Sequence, residues 1–413
     1  MKVLKNSIIY LTTSSVNKLI PFLLLPIMTN YLLPEEYGLL SVYMLFITLF
    51  SAFIGMNLHL NISKNFFQVS KEKMAIIIGN IFILLFFSFG FYFLAVLLLA
   101  SESVFSIPFK WFLLIPVISF FMMINVINKT ILRNEGKALL FGGFEISHSV
   151  INAGITLMLL IIYGLGWYAQ IYGLFVSYFV FFIVGLVYIK QNNYIVLEYD
   201  KVVFRKLLKI SLPLIPHVLG GVLLTMSDRI FIEKMIDLKT VGVYSVGYTF
   251  GMIVLLFSNS FIKAWNPWFY KKLSSPSDSN KKLIVKYSYL YIFGILAIAI
   301  FVSIFGSYIL PYFVAEAYYE AAPYIFWIAI GYAMFGIYQI FFPYLVHIEK
   351  TSFLAISTSI AAAINLILNY FCIKKFGAIG AAYATFLSYF VMFVLVSIYT
   401  QRHYKMPWFY MFK

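Results

Sequence analysis

Apart from the charged residues at their ends, long apolar runs hold Lys18, Lys129, Arg229 and Lys263, the acids Glu145 and Asp228, and His59, His148, His217 and His347. A charge at bilayer depth costs at least about 2.5 to 3.5 kcal/mol, so it persists where it is paired, wetted or used. Four bases against two acids give a cationic balance, which suits an anionic cargo in an internal cavity.

On the first run, Asn6, Thr13, Asn17 and Pro21 recur near the 3.6-residue helical period, with Ser14 and Lys18 beside them. At 1.5 Å per residue Lys18 stands about 20 Å in, too deep for easy snorkelling, so the stripe is expected to face a wet space. Lys129 and Lys263 sit nearer helix ends, where snorkelling to headgroups is an equal alternative to a cavity role. Asp228 and Arg229 are neighbours in sequence, and since consecutive helix residues do not face each other, each is expected to take a different partner. A structural ion pair across helices remains an alternative for either. Glu145 and Asp228 are candidates for a coupling proton or sodium ion, although pairing of Glu145 with Lys129 or His148 is the plainer reading. Pro21 and Pro26, and then Pro213 and Pro216 with Gly220 and Gly221, interrupt two corresponding runs, a pattern that points to a transporter's binding region and its hinges.

The elements that must position these residues follow from composition. Of the 413 residues 63% are hydrophobic and only 11% charged, with a mean hydropathy of +0.94. So few charges cannot cover a water-soluble surface, which excludes a soluble enzyme or a nucleic-acid module. A single cysteine, Cys372, excludes an internal disulfide and a cysteine-rich metal site. The sequence has no G-x-x-x-x-G-K-[ST], H-E-x-x-H or G-x-S-x-G motif, so no metal and no cofactor is expected.

Twelve apolar runs are long enough to cross a ~30 Å hydrocarbon layer: 6–32, 38–62, 75–100, 109–132, 139–163, 168–190, 208–233, 242–268, 286–310, 323–347, 353–373 and 380–400. Lys18 interrupts the first, and no small-residue cleavage site follows, so it reads as a retained membrane helix. Backbone amides in lipid need internal partners, and these runs are too long for barrel strands, so the fold class is an all-α integral membrane protein. Of the 30 Lys and Arg, 21 collect in alternate connections with both termini and five in the others, which puts both termini in the cytoplasm.

The halves look related. FVSYFV, at 175–180, recurs as FLSYFV at 386–391, while Gly38, Ser41 and Val42 recur as Gly242, Ser245 and Val246. Six helices separate each pair, so the expected architecture is two parallel six-helix bundles. The expected domains are an N-terminal lobe over 1–190, a cytoplasmic linker over 191–206, a C-terminal lobe over 207–401 and a cytoplasmic tail over 402–413.

Two stretches carry a resemblance: KNSIIYLTTSSVNKLIPFLLLPIMTNYLLPEEYGLLSVY and ISLPLIPHVLGGVLLTMSDRIFIEKMIDLKTVGVYSVGY. The chain resembles the bacterial lipid-linked oligosaccharide flippases, which serve O-antigen and capsule assembly, of the multidrug/oligosaccharidyl-lipid/polysaccharide exporter superfamily. That resemblance implies a MATE-like fold in the bacterial inner membrane. It implies a flippase, not an enzyme, that moves undecaprenyl-diphosphate-linked oligosaccharide repeat units from the cytoplasmic to the periplasmic leaflet by alternating access. A polysaccharide polymerase and a chain-length regulator would be candidate partners; nucleic acid would not. The lumen would be cationic, lined by Lys18, Arg229, Lys129, Lys263, His217 and Asn17, because fixed cations can replace the hydration of a diphosphate. Lys18→Ala and Arg229→Ala are then expected to remove surface polysaccharide at unchanged protein level. The rival readings are a multidrug cation antiporter of the same superfamily, weakened by the cationic balance, and a membrane glycosyltransferase or polymerase, weakened by short outer connections.

Overall fold

The computed structural model describes residues 2–100, 102–274, 277–350 and 352–412; the side chains of 2–8, 10, 11, 14, 15, 18, 217, 411 and 412 lie outside the described set. Among the described residues sixteen α-helices follow in order. They are α1 (Lys2–Tyr31), α2 (Pro34–Gly55), α3 (His59–Asn65), α4 (Lys71–Leu99), α5 (Phe109–Phe112), α6 (Leu114–Asn134), α7 (Ala138–Leu157) and α8 (Tyr168–Gln191). The second series is α9 (Lys201–Ser211), α10 (Ile215–Met235), α11 (Leu238–Gly251), α12 (Ile253–Leu273), α13 (Asp278–Phe313), α14 (Ala322–His347), α15 (Ser352–Phe376) and α16 (Ile379–His403). A short antiparallel hairpin, β1 (Ser103–Val104) with β2 (Ile107–Pro108), joins α4 to α5.

Among the described residues, ten helical stretches are long and apolar enough to cross a bilayer, and the pair formed by α9 and α10, bent by 40°, makes up to eleven. A further shorter apolar stretch, Leu19–Tyr31, is the second half of α1. The all-α membrane fold is therefore the one observed, as the internal satisfaction of backbone amides in lipid requires.

Two local features differ from the sequence reading. The run 38–62 is not one helix: it divides into α2 and α3 at Met56 and Asn57, whose φ angles of 44° and 55° are left-handed and end the helix. Pro213 does interrupt its run, in the 3-10 turn Leu212–Leu214, with Pro216 at the start of α10. Pro21 and Pro26, by contrast, do not interrupt α1, which is helical throughout Lys2–Tyr31. Thr29 Oγ1 donates to the carbonyls of Leu25 (2.9 Å) and Pro26 (3.2 Å), and Asn30 Nδ2 to that of Pro26 at 2.7 Å. These are added bonds to carbonyls of the last turns of α1.

The chain packs as two units, one comprising Met1–Leu24 with Leu39–Val222 and the other Leu25–Gly38 with Leu223–Lys413. This partition differs from one drawn at the linker. Residues 192–200 belong to the first unit because they lie against α4: Val196 N donates to Ala75 O at 3.2 Å, Asn80 Nδ2 to Glu198 O at 2.9 Å, and Asp200 N to Asn80 Oδ1 at 3.1 Å. Gly79 makes room, since a Cβ there would run into the Val196 carbonyl. The chain passes between units three times: inside α1, between Pro21 and Pro26; inside α2, just after Gly38; and inside α10, just after Gly220 and Gly221.

The first unit has a core of Ile54, Leu58, Ile62, Ile78, Ile81, Ile124, Ile127 and their neighbours, drawn from α2, α3, α4 and α6. In the second unit α14 packs between α13 and α16, and α15 packs on the α16 side; Trp408 of the tail lies on this group, its ring 5.3 Å from Phe341 and its carbonyl bonded by Tyr289 Oη at 3.0 Å. The sequence repeats occupy equivalent environments. Ser177 and Ser388 are both fully buried, while Phe179 and Phe390 are 43% and 42% exposed. Gly38 and Gly242 meet directly and reciprocally. A Cβ on Gly38 would strike the Leu238 carbonyl and one on Gly242 the Pro34 carbonyl, partners that are themselves 204 residues apart like the glycines. Reciprocal contact of this kind marks a local two-fold relation.

Candidate functional site

In the first unit, α1, α6, α7 and α8 enclose a polar pocket of about 220 Å³, lined by Asn17, Asn125, Lys129, Phe144, Glu145, His148, Ser149, Tyr178 and Phe181. Small residues bring its walls together. A Cβ on Gly142 of α7 would lie 3.0 Å from Thr13 Oγ1 of α1, so the two helices pack closely there. One turn on from each, Asn17 and Glu145 then meet: Asn17 Nδ2 donates to Glu145 Oε2 at 2.6 Å. Lys129 Nζ, from α6, bonds the other carboxylate oxygen, so Glu145 is held between a cation and an amide.

The pocket is not sealed, because the Lys129 and Glu145 side chains keep 32% and 18% exposure. Its unmet hydrogen bonds are specific. Asn17 Oδ1 and His148 Nε2 are buried with no partner among the described residues, although buried polar groups are normally bonded. The His148 ring lies 4.4 Å from that of Tyr178 and 5.7 Å from that of Phe181, on α8. Asn125, one turn before Lys129, donates to the carbonyls of Phe121 (3.0 Å) and Tyr178 (3.1 Å), tying α6 to α8 at this level. The arrangement combines a base, an acid, an amide oxygen and an imidazole nitrogen without partners among the described residues, and aromatic faces. It can bind a polar group that offers hydrogen-bond donors and an anion that competes with Glu145 for Lys129.

The structure thus brings together Asn17, Lys129 and Glu145, and the observed partner of Glu145 is the Lys129 expected as one alternative. Thr13, part of the expected wet stripe, instead packs on α7 and donates to Ile9 O at 2.8 Å; the Asn6 side chain lies outside the described residues. Lys18 is in α1 next to Asn17, and His217 is in α10, but the side chains of both lie outside the described residues. Lys263 is exposed on α12 and forms no ion pair among the described residues.

The expectation that Asp228 and Arg229 take separate partners is corrected. In the second unit Arg229 Nη1 reaches Asp228 Oδ1 at 3.2 Å and Thr225 O at 3.1 Å, because its long stem folds back along α10. Tyr244 Oη bonds Asp228, and the guanidinium lies 4.4 Å from the centre of the Tyr248 ring, whose hydroxyl donates to Thr225 O and accepts from Tyr332. Asp228 and Arg229 are 2% and 7% exposed, so both charges are enclosed in protein.

The sequence reading did not single out Asn125, Ser149 or Phe181 for the site. Asn125 lies four residues before Lys129, a helical spacing that could have drawn attention to it. A second cluster it missed is Glu135, which accepts hydrogen bonds from the hydroxyls of Tyr188 and Tyr194 and pairs with Lys137 at 3.2 Å. Burial and the Glu135 carboxylate push the Tyr194 hydroxyl well above its ordinary pKa, while the Tyr188 hydroxyl and Glu135 raise that of Lys137.

Residues 3–272 match the family described as polysaccharide biosynthesis protein. Two proteins of Haemophilus influenzae (strain ATCC 51907 / DSM 11121 / KW20 / Rd) are similar. An uncharacterized membrane protein is 26% identical over 288 residues, covering 68% of this chain and 69% of the relative. The other, Lsg locus putative protein 1, is 27% identical over 295 residues, covering 69% of each. Among solved structures, the lipid II flippase MurJ in an inward closed conformation superposes with a TM-score of 0.69 at 15% identity, covering 96% of this chain and 87% of that one. A multidrug resistance MATE family transporter of the MOP superfamily, inward-facing, superposes with a TM-score of 0.64 at 13% identity, over 94% and 98% of the two chains. With a family model spanning well over half of its length and a MATE- and MurJ-like helical fold, this chain belongs to the polysaccharide biosynthesis protein family of multi-pass membrane proteins.

Proposed function

We propose that the chain is a flippase for undecaprenyl-diphosphate-linked oligosaccharide repeat units of a surface polymer such as O-antigen or capsule, carrying them from the cytoplasmic to the periplasmic leaflet of a bacterial inner membrane. The observation that supports it most directly is Lys129, held by Glu145 in a partly open polar pocket of the first unit. In this reading Glu145 is the resting counter-ion, and a diphosphate entering the pocket takes its place beside Lys129. The exchange replaces one anion by another, so Lys129 is never left as an isolated buried charge. Protonation of Glu145 would release Lys129 in the same way, which makes Glu145 the coupling candidate; enclosed Asp228 is assigned the structural partner of Arg229. Tyr178 and Phe181 offer faces for sugar rings, and the unpartnered Asn17 Oδ1 offers an acceptor for a sugar hydroxyl.

Lys18, Lys263 and His217 are proposed to extend the cationic path, with both termini in the cytoplasm. Alternating access would bend the chain at Pro21 and Pro26 and at Pro213 and Pro216, near where it changes units. A multidrug cation carrier would need a free acid in the pocket, and Glu145 is already engaged.

The test is a leaflet-resolved translocation assay in proteoliposomes loaded with the lipid-linked intermediate. A hydrogen bond to a charged group contributes about 1.5 to 3 kcal/mol, so Lys129→Gln should slow translocation roughly 10- to 100-fold. Lys129→Arg should retain most of the rate. Wild-type rates in Lys129→Gln would refute the assignment.

A further inference from the structure

The first unit holds a second pocket, of about 330 Å³, where the ends of α3 and α9 meet the start of α4. Its volume is within the ~300–1,000 Å³ usual for small ligands. Lys73 and Lys206 line it, both exposed and neither in an ion pair among the described residues. Asn61 also lines it and is 1% exposed; its Nδ2 donates to Ser211 Oγ at 2.9 Å, while its Oδ1 has no partner among the described residues. The pocket's one acid, Asp200, is engaged as the cap of α9, its Oδ1 accepting from Val202 N at 2.8 Å and Val203 N at 3.0 Å. An occupant must therefore bring an anion for the lysines and a hydrogen-bond donor for the buried amide oxygen.

The surroundings say where that occupant comes from. Val202, on the pocket wall, is 77% exposed, and next to it in the chain Leu197 and Tyr199 are 73% and 59% exposed; Phe67, just past α3, is 79% exposed. Uncovered apolar side chains on and near a cationic pocket suit acyl chains below an anionic headgroup. α9 itself is amphipathic, with Leu207 buried in the unit and Lys201, Arg205, Lys206 and Lys209 exposed, the pattern of a helix in a membrane interface.

We propose that this pocket is a specific site for an anionic phospholipid whose headgroup carries hydroxyls, as phosphatidylglycerol does. The phosphate lies between Lys73 and Lys206, and a glycerol hydroxyl donates to Asn61 Oδ1. Because α9 leads directly through the turn at Pro213 into α10, an occupied site anchors that segment to the bilayer surface.

The test is native mass spectrometry of the purified full-length chain, delipidated and titrated with phosphatidylglycerol, phosphatidylethanolamine or phosphatidylcholine. Two interfacial lysines favour an anionic lipid enough for phosphatidylglycerol to bind roughly 10- to 30-fold more tightly than phosphatidylcholine. Lys73→Gln/Lys206→Gln should bring the two to parity, and Lys73→Arg/Lys206→Arg should keep the preference. Free sn-glycerol 3-phosphate should not compete. Equal binding of the three lipids, an undiminished preference in the Gln double variant, or full competition by glycerol phosphate, the mark of a soluble-anion site, would each overturn the proposal.

Discussion

Gly242→Ala tests the crossing of α2 and α11 at the two related glycines. A Cβ on Gly242 would lie 2.8 Å from the Pro34 carbonyl carbon and 3.1 Å from Gly38 N, with the Pro34 oxygen nearer still. All of these are backbone atoms, so no rotamer change can relieve the clash, and the helices must part by about 1 Å or more to restore ordinary contact. Overpacking typically costs about 1–3 kcal/mol, and a contact with backbone on both sides belongs at the upper end. For a unit of this size each kcal/mol shifts Tm by roughly 2–4 °C, so a fall of roughly 5–10 °C is expected. Gly294→Ala in α13 and Gly90→Ala in α4 are the controls, because a Cβ there meets nothing within 4 Å. Removing a helix glycine in open space should gain about 0.5–1 kcal/mol and raise Tm slightly. Since Gly38 and Gly242 share one contact, Gly38→Ala/Gly242→Ala should lose less than the two single losses added. The assay is thermal unfolding of purified protein in detergent, followed by tryptophan fluorescence and size-exclusion chromatography. A Gly242→Ala protein melting with the wild type or above it would refute the close crossing.

Arg229→Ala should lower protein level and Tm, because removing one partner of a buried pair costs about 3–5 kcal/mol; Asp228→Asn/Arg229→Met, which removes both charges, should cost less. A well-folded Arg229→Ala protein that fails only in transport would instead restore Arg229 to the translocation path. Glu145→Gln frees Lys129 and should strengthen retention of an undecaprenyl diphosphate probe several-fold in a competition assay; unchanged or weaker retention would contradict the counter-ion reading. His59, in α3, has its pKa held below the ordinary 6.5 by burial and by the nearby positive charge of Arg133. The unfolded chain therefore binds the extra proton more readily, so this contribution to stability is complete above pH 6.5 and declines as pH falls through it. Tm measured at pH 7.5 and at pH 5.5 should show a smaller drop for His59→Asn than for the wild type.

The membrane fold was legible because apolar length is a one-dimensional property: a run such as 353–373 must be a helix wherever it packs, and α15 spans Ser352–Phe376. Helix breaks were less legible. Pro213 breaks its run, in the 3-10 turn Leu212–Leu214, and Pro26 does not, since α1 is helical through it; residue type alone does not separate the two. The site was half legible. Helical spacing and charge picked out Asn17, Lys129 and Glu145 one at a time, but their meeting depends on Gly142 letting α1 approach α7.

Arg229 shows the opposite outcome, since adjacency on a helix argued against a pair that a long, flexible side chain made anyway. Hydropathy, charge distribution and the repeated glycines thus determined from sequence that the chain is a duplicated helical membrane protein with a few costly internal charges. Which charge neutralises which, and which remains open to a ligand, was decided by tertiary packing. Pairing energies depend on distances of a few ångströms across helices far apart in the chain, and on burial, neither of which the order of residues encodes locally.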